Sequence, residues 1–113
     1  MKTIDEVLNS EHIEYLLSSR YKISGNGVYI IMNSERVPIY IGYSTNFKKR
    51  MYDHYGRTGL LKFMPESHII KFIFNIEREY EKVLIHHFRP KYNGKGLTCY
   101  TGIKSNFNLQ LNL

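Results

Sequence analysis

Val28-Tyr29-Ile30-Ile31-Met32-Asn33-Ser34-Glu35-Arg36-Val37-Pro38-Ile39-Tyr40-Ile41-Gly42-Tyr43 reads as two strands joined by a turn. Both ends are apolar runs rich in β-branched and aromatic side chains, and the segment between them is mostly polar. That is the pattern of an antiparallel hairpin. The near-continuous apolarity predicts that both strands are covered on both faces, as central strands are. Downstream, Thr45 or Asn46 is suited to cap a helix that runs to about Tyr55. Gly56, Gly59 and Pro65 mark a loop, and residues 69–74 then read as a third strand. Residues 77–88 read as a helix stopped by Pro90. Upstream, Ser24-Gly25-Asn26-Gly27 is a loop signal. Before it, residues 3–19 read as helical, with a capping box at Thr3 and Glu6 and a break allowed at Asn9-Ser10. At the far end, residues 107–113 alternate with period two, which suits a late strand. The expected fold is therefore α+β, or mixed α/β: a small three-stranded, mainly antiparallel sheet flanked by helices. The expected organisation is one compact domain. It comprises an N-terminal helical extension over 1–26, a core over 27–93 and a C-terminal extension over 94–113.

Composition narrows the function. A chain of 113 residues is one domain's worth and can bury a core. Its 42% hydrophobic share excludes wholesale disorder. Sixteen basic against ten acidic residues give +6, which favours polyanionic partners, nucleic acid ahead of an anionic membrane. Tyrosine occurs 10 times and tryptophan is absent, a bias that serves cores and wet binding surfaces alike. Cys99 is the one cysteine, so no internal disulfide forms, and this fits a reducing compartment. No apolar run approaches the roughly 20 residues of a membrane span. The charged N-terminus lacks a signal-peptide core. An intracellular chain with no membrane partner is expected.

Several polar residues fall where apolar ones are expected. Leu84, Ile85 and Phe88 follow Glu81 at i+3, i+4 and i+7, which sets Glu81 on the apolar stripe of its helix. A carboxylate there is costly unless paired or bound to a cation. It is either a site residue or a stripe-edge residue paired with a nearby Lys or Arg. On the preceding helix Phe47 and Met51 form an i,i+4 apolar pair, and Arg50 and His54 form another beside it. Lys48 and Lys49 suit a solvated face. Tyr29 and Tyr40 sit on the two hairpin strands. Paired across the ladder, they would project their hydroxyls from one face. Glu77, one turn before Glu81, is a rival ligand. His86 and His87 are adjacent and do not share a helix face, so they make a poor metal pair.

Gly27-Val28-Tyr29 followed by Tyr40-Ile41-Gly42 resembles the two half-motifs that name the GIY-YIG nucleases. The similarity continues through Arg50 and His54, through Glu81-Lys82-Val83-Leu84-Ile85, and to Pro90-Lys91-Tyr92-Asn93, and so spans residues 27–93. Val28 stands where isoleucine is usual, and Tyr43 where some relatives carry lysine. The resemblance implies a metal-dependent DNA endonuclease that hydrolyses phosphodiester bonds, in homing, restriction, repair or inter-genome competition. Glu81 would anchor Mg²⁺ or Mn²⁺, and Arg50 would hold the scissile phosphate. Tyr29 or Tyr40 would take the proton from water once a cationic neighbour had lowered its pKa. His54 would relay that proton or orient a tyrosine. Gly42 would allow close approach, and Asn93 would tie down the floor of the site. Lys48, Lys49, Arg57 and Lys91 are candidate DNA contacts, with Lys62, Lys71 and Lys95 behind them. The alternative is a catalytically silent nucleic-acid-binding module of the same fold. Specificity would come from a separate DNA-binding domain, a partner protein or a homodimer.

Overall fold

Gly27–Met32 forms a strand that is buried at every position, between two antiparallel neighbours. The computed structural model describes residues 1–94. The strand expected over 107–113, together with Lys95 and Cys99, lies outside them. In chain order the elements are α1 (Ile4–Leu8), β1 (His12–Leu16), β2 (Gly27–Met32), β3 (Pro38–Ser44), α2 (Phe47–Tyr55), a 3-10 turn (Leu60–Phe63), β4 (Ile69–Phe74) and α3 (Glu79–Phe88). The sheet runs β1-β4-β2-β3, and all three pairings are antiparallel. Alternation along β2 feeds two cores. Val28, Ile30 and Met32 pack with Val7, Ile73, Tyr80 and Leu84 on the side of α1 and α3. Tyr29 and Ile31 pack with Phe47, Met51, Leu61 and Phe72 on the side of α2. The fold is α+β, as expected, with the sheet as the middle layer.

Local signals set most boundaries. Thr3 and Glu6 form the capping box at the start of α1. Asn46 caps α2, its Oδ1 accepting the Lys49 N–H at 3.0 Å. Gly27 has φ +141, and a Cβ there would collide with the Ile73 carbonyl, so only glycine enters β2 along this path.

Two expectations need correction. The sheet has four strands, because the stretch expected to be helical over 3–19 divides at Asn9. Its second half is β1, registered on β4 with Tyr15 opposite Ile70. Pairing satisfies the outer edge of β4, and Tyr15 gains ring contacts with Tyr21 at 4.9 Å and Phe72 at 6.4 Å. Those partners are distant in sequence, and tertiary context overrides local propensity in such cases. The second correction concerns β3, which is an edge strand rather than a central one. Its faces are covered, but its outer rim meets no strand among the described residues. Residues 92 and 93 take that place. The Asn93 Nδ2 donates to the Ile41 carbonyl and its Oδ1 accepts the Ile41 N–H, both at 2.9 Å. The Tyr92 N–H donates to the Ile39 carbonyl at 3.0 Å.

Asn93 is buried, so its loss leaves both Ile41 backbone groups unmet. Asn93→Ala should cost about 2–4 kcal/mol of folding stability, two unpaired groups at roughly 1–2 each. Urea denaturation reads this directly. A wild-type midpoint in the variant would mean that water replaces the amide without loss.

Candidate active site

Tyr29 stands opposite Gly42 in the β2–β3 ladder. A Cβ at Gly42 would collide with the Tyr29 ring and hydroxyl, so the ring occupies the room that a side chain would need. Tyr40 lies opposite Ile31. The two tyrosines therefore share a face but are diagonal neighbours, not a direct pair. Their ring centroids are 6.1 Å apart, and the Tyr40 hydroxyl is a hydrogen-bonding neighbour of Tyr29. Tyr29 is fully buried, whereas Tyr40 is half-buried.

His54 completes this cluster. Phe47, Met51 and His54 fall at i, i+4 and i+7 on α2, so all three turn toward the sheet, and all are buried. The imidazole centroid is 5.7 Å from each tyrosine ring. His54 Nε2 lies 2.7 Å from the Tyr29 hydroxyl oxygen, and Nδ1 lies 3.0 Å from Thr58 Oγ1. Thr58 directs its own hydrogen at the Asp53 carbonyl, 3.4 Å away, and accepts the Leu60 N–H at 3.3 Å. This order leaves Thr58 a lone pair for His54 Nδ1–H, which makes Nε2 the acceptor of the Tyr29 O–H.

Burial controls both ring pKa values. It is the largest cause raising Tyr29 well above the ordinary phenol value, with Tyr40 adding to it and Arg50 opposing. The expected lowering by a cationic neighbour is thus reversed at Tyr29: Arg50 is present, but desolvation outweighs it. Burial, then Arg50, pushes His54 down to about 4. The imidazole is neutral at pH 7.

Arg50 sits one helical turn before His54 and is half-buried. Its charge reaches Tyr29, His54 and Glu81. Among the described residues it closes no ion pair; the two that form are Arg36–Glu14 and Arg57–Asp53. Glu81 arrives on α3, from the opposite face of the sheet, and is half-buried. Burial raises its pKa, while Arg78, then Arg50 and the Tyr43 backbone, pull the other way. It too closes no ion pair among the described residues. Among the described residues no group of three or more His, Cys, Asp or Glu gathers to hold a metal. A lone, partly desolvated carboxylate fits a hard divalent cation such as Mg²⁺, which keeps several waters and needs few protein ligands.

Arg78 and Thr58 were not singled out from sequence. Arg78 lies over the Tyr43 ring at 4.7 Å and is the leading influence favouring the charged form of Glu81. Its i−3 spacing from Glu81 was the available signal. Thr58 lies beyond the end of α2, where helical spacing says nothing. The other candidates are dispersed. Lys48, Lys49 and Lys62 are exposed, Arg57 pairs with Asp53 at 3.4 Å, and Lys91 lies over the Tyr92 ring at 5.0 Å. Lys71 is half-buried on β4 near Glu14 and Arg36. Glu77 is exposed ahead of α3, and His86 and His87 are exposed in its last turn.

Comparison with known proteins gives a consistent result. The GIY-YIG catalytic domain model matches residues 25–93. UvrABC system protein C of Mycoplasma capricolum subsp. capricolum is 34% identical over 74 residues, 59% of this chain. The match spans only 13% of that relative. Two crystal structures of the GIY-YIG N-terminal endonuclease domain of UvrC from Thermotoga maritima are also similar. Both are tyrosine-to-phenylalanine mutants bound to the catalytic divalent cation. They are 28% and 30% identical to this chain, each with a TM-score of 0.51, covering 63% of this chain and 84% of theirs. No helix among the described residues is long and apolar enough to cross a membrane.

His54 links the site to stability. Its folded-state pKa is lowered to about 4 from 6.5. Its contribution is therefore complete above about pH 6.5 and is lost as pH falls through 4, up to about 3 kcal/mol. The imidazole is only 3% exposed, so solvent screening is slight. His54→Gln should flatten the decline in unfolding free energy between pH 7.5 and pH 4. An equal decline in both proteins would assign the acid sensitivity elsewhere.

Proposed function

Because the chain belongs to the GIY-YIG catalytic domain family, we propose that it is a divalent-metal-dependent endonuclease that hydrolyses phosphodiester bonds in DNA. The observation that carries this reading is Arg50, unpaired among the described residues, between a buried Tyr29–His54 hydrogen bond and the half-buried Glu81 carboxylate. Arg50 grips the scissile phosphate, since a guanidinium is always charged and its planar fork matches two phosphate oxygens. Glu81 would hold Mg²⁺ or Mn²⁺, which would supply positive charge to stabilise a departing oxygen.

Burial discriminates between the tyrosines. Tyr29 is sealed beneath the sheet face, so Tyr40 is the one that meets an attacking water. Tyr40 takes a proton from the water as the new P–O bond forms and passes its own to Tyr29. Tyr29 in turn donates to neutral His54 Nε2. No standing phenolate is required, which accords with the raised Tyr29 pKa. Cleavage of the P–O3′ bond leaves a 5′-phosphate and a 3′ oxygen that takes a proton from solvent water to become a hydroxyl. Gly42 keeps Tyr29 in line, and Asn93 keeps β3 in place. DNA specificity is proposed to come from a further DNA-binding domain, a partner protein or a second copy of the chain.

Plasmid nicking with Mg²⁺, with and without chelator, tests the reading. Glu81→Gln should lower the rate on the order of a thousandfold, the several kcal/mol that a bound metal contributes, with duplex binding retained. Cutting at the wild-type rate in this variant, or in chelator, would sink the metal assignment. Tyr40→Phe should cost about 10²- to 10⁴-fold, the usual share of a general base. Tyr29→Phe should cost less. The reverse ranking would make Tyr29 the group that meets water.

A further inference from the structure

Helix α2 has a second working face. Lys48, Tyr52 and Tyr55 fall at i, i+4 and i+7, turned away from the stripe of Phe47, Met51 and His54. Tyr52 is 80% exposed and Tyr55 42%. Exposed tyrosines present a flat ring and a polar tip, which suits a wet binding surface. Both line a groove of about 970 Å³ between α2 and residues 19–24, with Arg20, Lys22 and Lys49 also on its walls. Four cations and no carboxylate line it among the described residues. The wall opposite α2 is anchored: the Tyr21 ring stacks on Tyr15 at 4.9 Å and packs on Phe72 at 5.9 Å. The Tyr21 hydroxyl is buried beside Tyr55.

We infer that this groove binds unpaired nucleotides, with Tyr52 and Tyr55 stacking on bases and Arg20, Lys22, Lys48 and Lys49 holding phosphates. The inference rests on the nuclease reading and adds a preference to it: substrates with a single-stranded segment beside the cut. Two rings one helical turn apart offer successive stacking platforms, and every base has a face to stack. Duplex DNA hides those faces. A cavity of this size exceeds the needs of one phosphate and is at the upper end of the usual range for organic ligands, about 300–1,000 Å³. Aromatic and basic residues also suit an anionic membrane, but a membrane-binding face is a convex or flat stripe. Here the rings and charges line a concavity. Arg50 and His54 are carried by the same nine-residue helix but on its other side, so a strand leaving the groove would round α2 to reach the site.

The full chain is titrated in chelator against fluorescein-labelled oligo(dT), an abasic strand of equal length, a duplex, and phosphatidylserine–phosphatidylcholine vesicles. Tyr52→Ala should weaken oligo(dT) binding about 5- to 150-fold, the range for losing one base stack. Duplex and abasic binding should not change, and Tyr52→Phe should match wild type. Because Tyr52 is exposed, the substitution leaves the core intact. The inference is overturned if Tyr52→Ala binds oligo(dT) as wild type does, or if wild type does not prefer oligo(dT) to the abasic strand. Parallel losses on duplex, or a loss confined to vesicles, overturn it as well. Plasmid cutting is scored separately. A chain that binds oligo(dT) through Tyr52 yet never cuts refutes the nuclease reading alone. A chain that cuts while Tyr52→Ala binds normally refutes only the groove.

Discussion

The Tyr29 ring fills the space that a side chain at Gly42 would need, and the geometry of the site follows from that contact. The register of β2 on β3 brings these two residues opposite each other. A slip of one residue would turn Tyr29 to the α3 face and bring a side chain beneath whatever replaced it. With the register held, the Tyr29 hydroxyl reaches His54 at 2.7 Å, which orients the imidazole and fixes the direction of its Nδ1 bond to Thr58. Asn93 holds the far side of the same strand by both backbone groups of Ile41, the residue beside Gly42. β3 thus carries Tyr40 and Gly42 beside the Tyr29 of β2 and a side-chain clasp on its rim.

That rim is also where the two faces of the sheet meet. α2 and α3 lie on opposite sides, yet Arg50 from one and Glu81 from the other lie within electrostatic reach. Burial and positive neighbours act on Glu81 in opposite directions. The result is a carboxylate partly stripped of water that closes no ion pair with any described residue. Tyr29 and His54 are both driven toward their neutral forms by burial, so their mutual bond joins two neutral groups at pH 7. Fixed charge at the site thus resides in Arg50, Arg78 and Glu81, and the aromatic cluster contributes hydrogen bonds.

α2 divides its labour by helical phase. Residues 47, 51 and 54 build core and site, while residues 48, 52 and 55 stay outside. A helix of nine residues can serve both because its caps are settled locally, by Asn46 at one end and Gly56 at the other. The lysines expected to be a solvated charge run flank exposed tyrosines, and that juxtaposition gives them a place on a groove wall.

Local chemistry alone made much of this protein legible. Alternating apolar character, turn residues and caps located β2, β3, β4, α2 and α3 to within a residue or two, because these signals act over a few positions. Tyr29, Tyr40, Arg50, His54 and Glu81 were all named from residue type, spacing and family resemblance. Other features depended on partners far along the chain. Residues 12–16 became a strand because the edge of β4 was there to be paired, and among the described residues the rim of β3 is met by Asn93 and not by a strand. The Tyr29 pKa rose where a cation was expected to lower it, because desolvation is set by everything packed around a group and not by one neighbour. Thr58 joined the site through a loop that no local period encodes, whereas Arg78 was signalled only by its i−3 spacing from Glu81. The sequence by itself determined which elements form and which polar residues are out of place. Tertiary structure decided which of them meet, because packing α2 and α3 on opposite faces of one sheet edge brings together groups that chain proximity leaves apart.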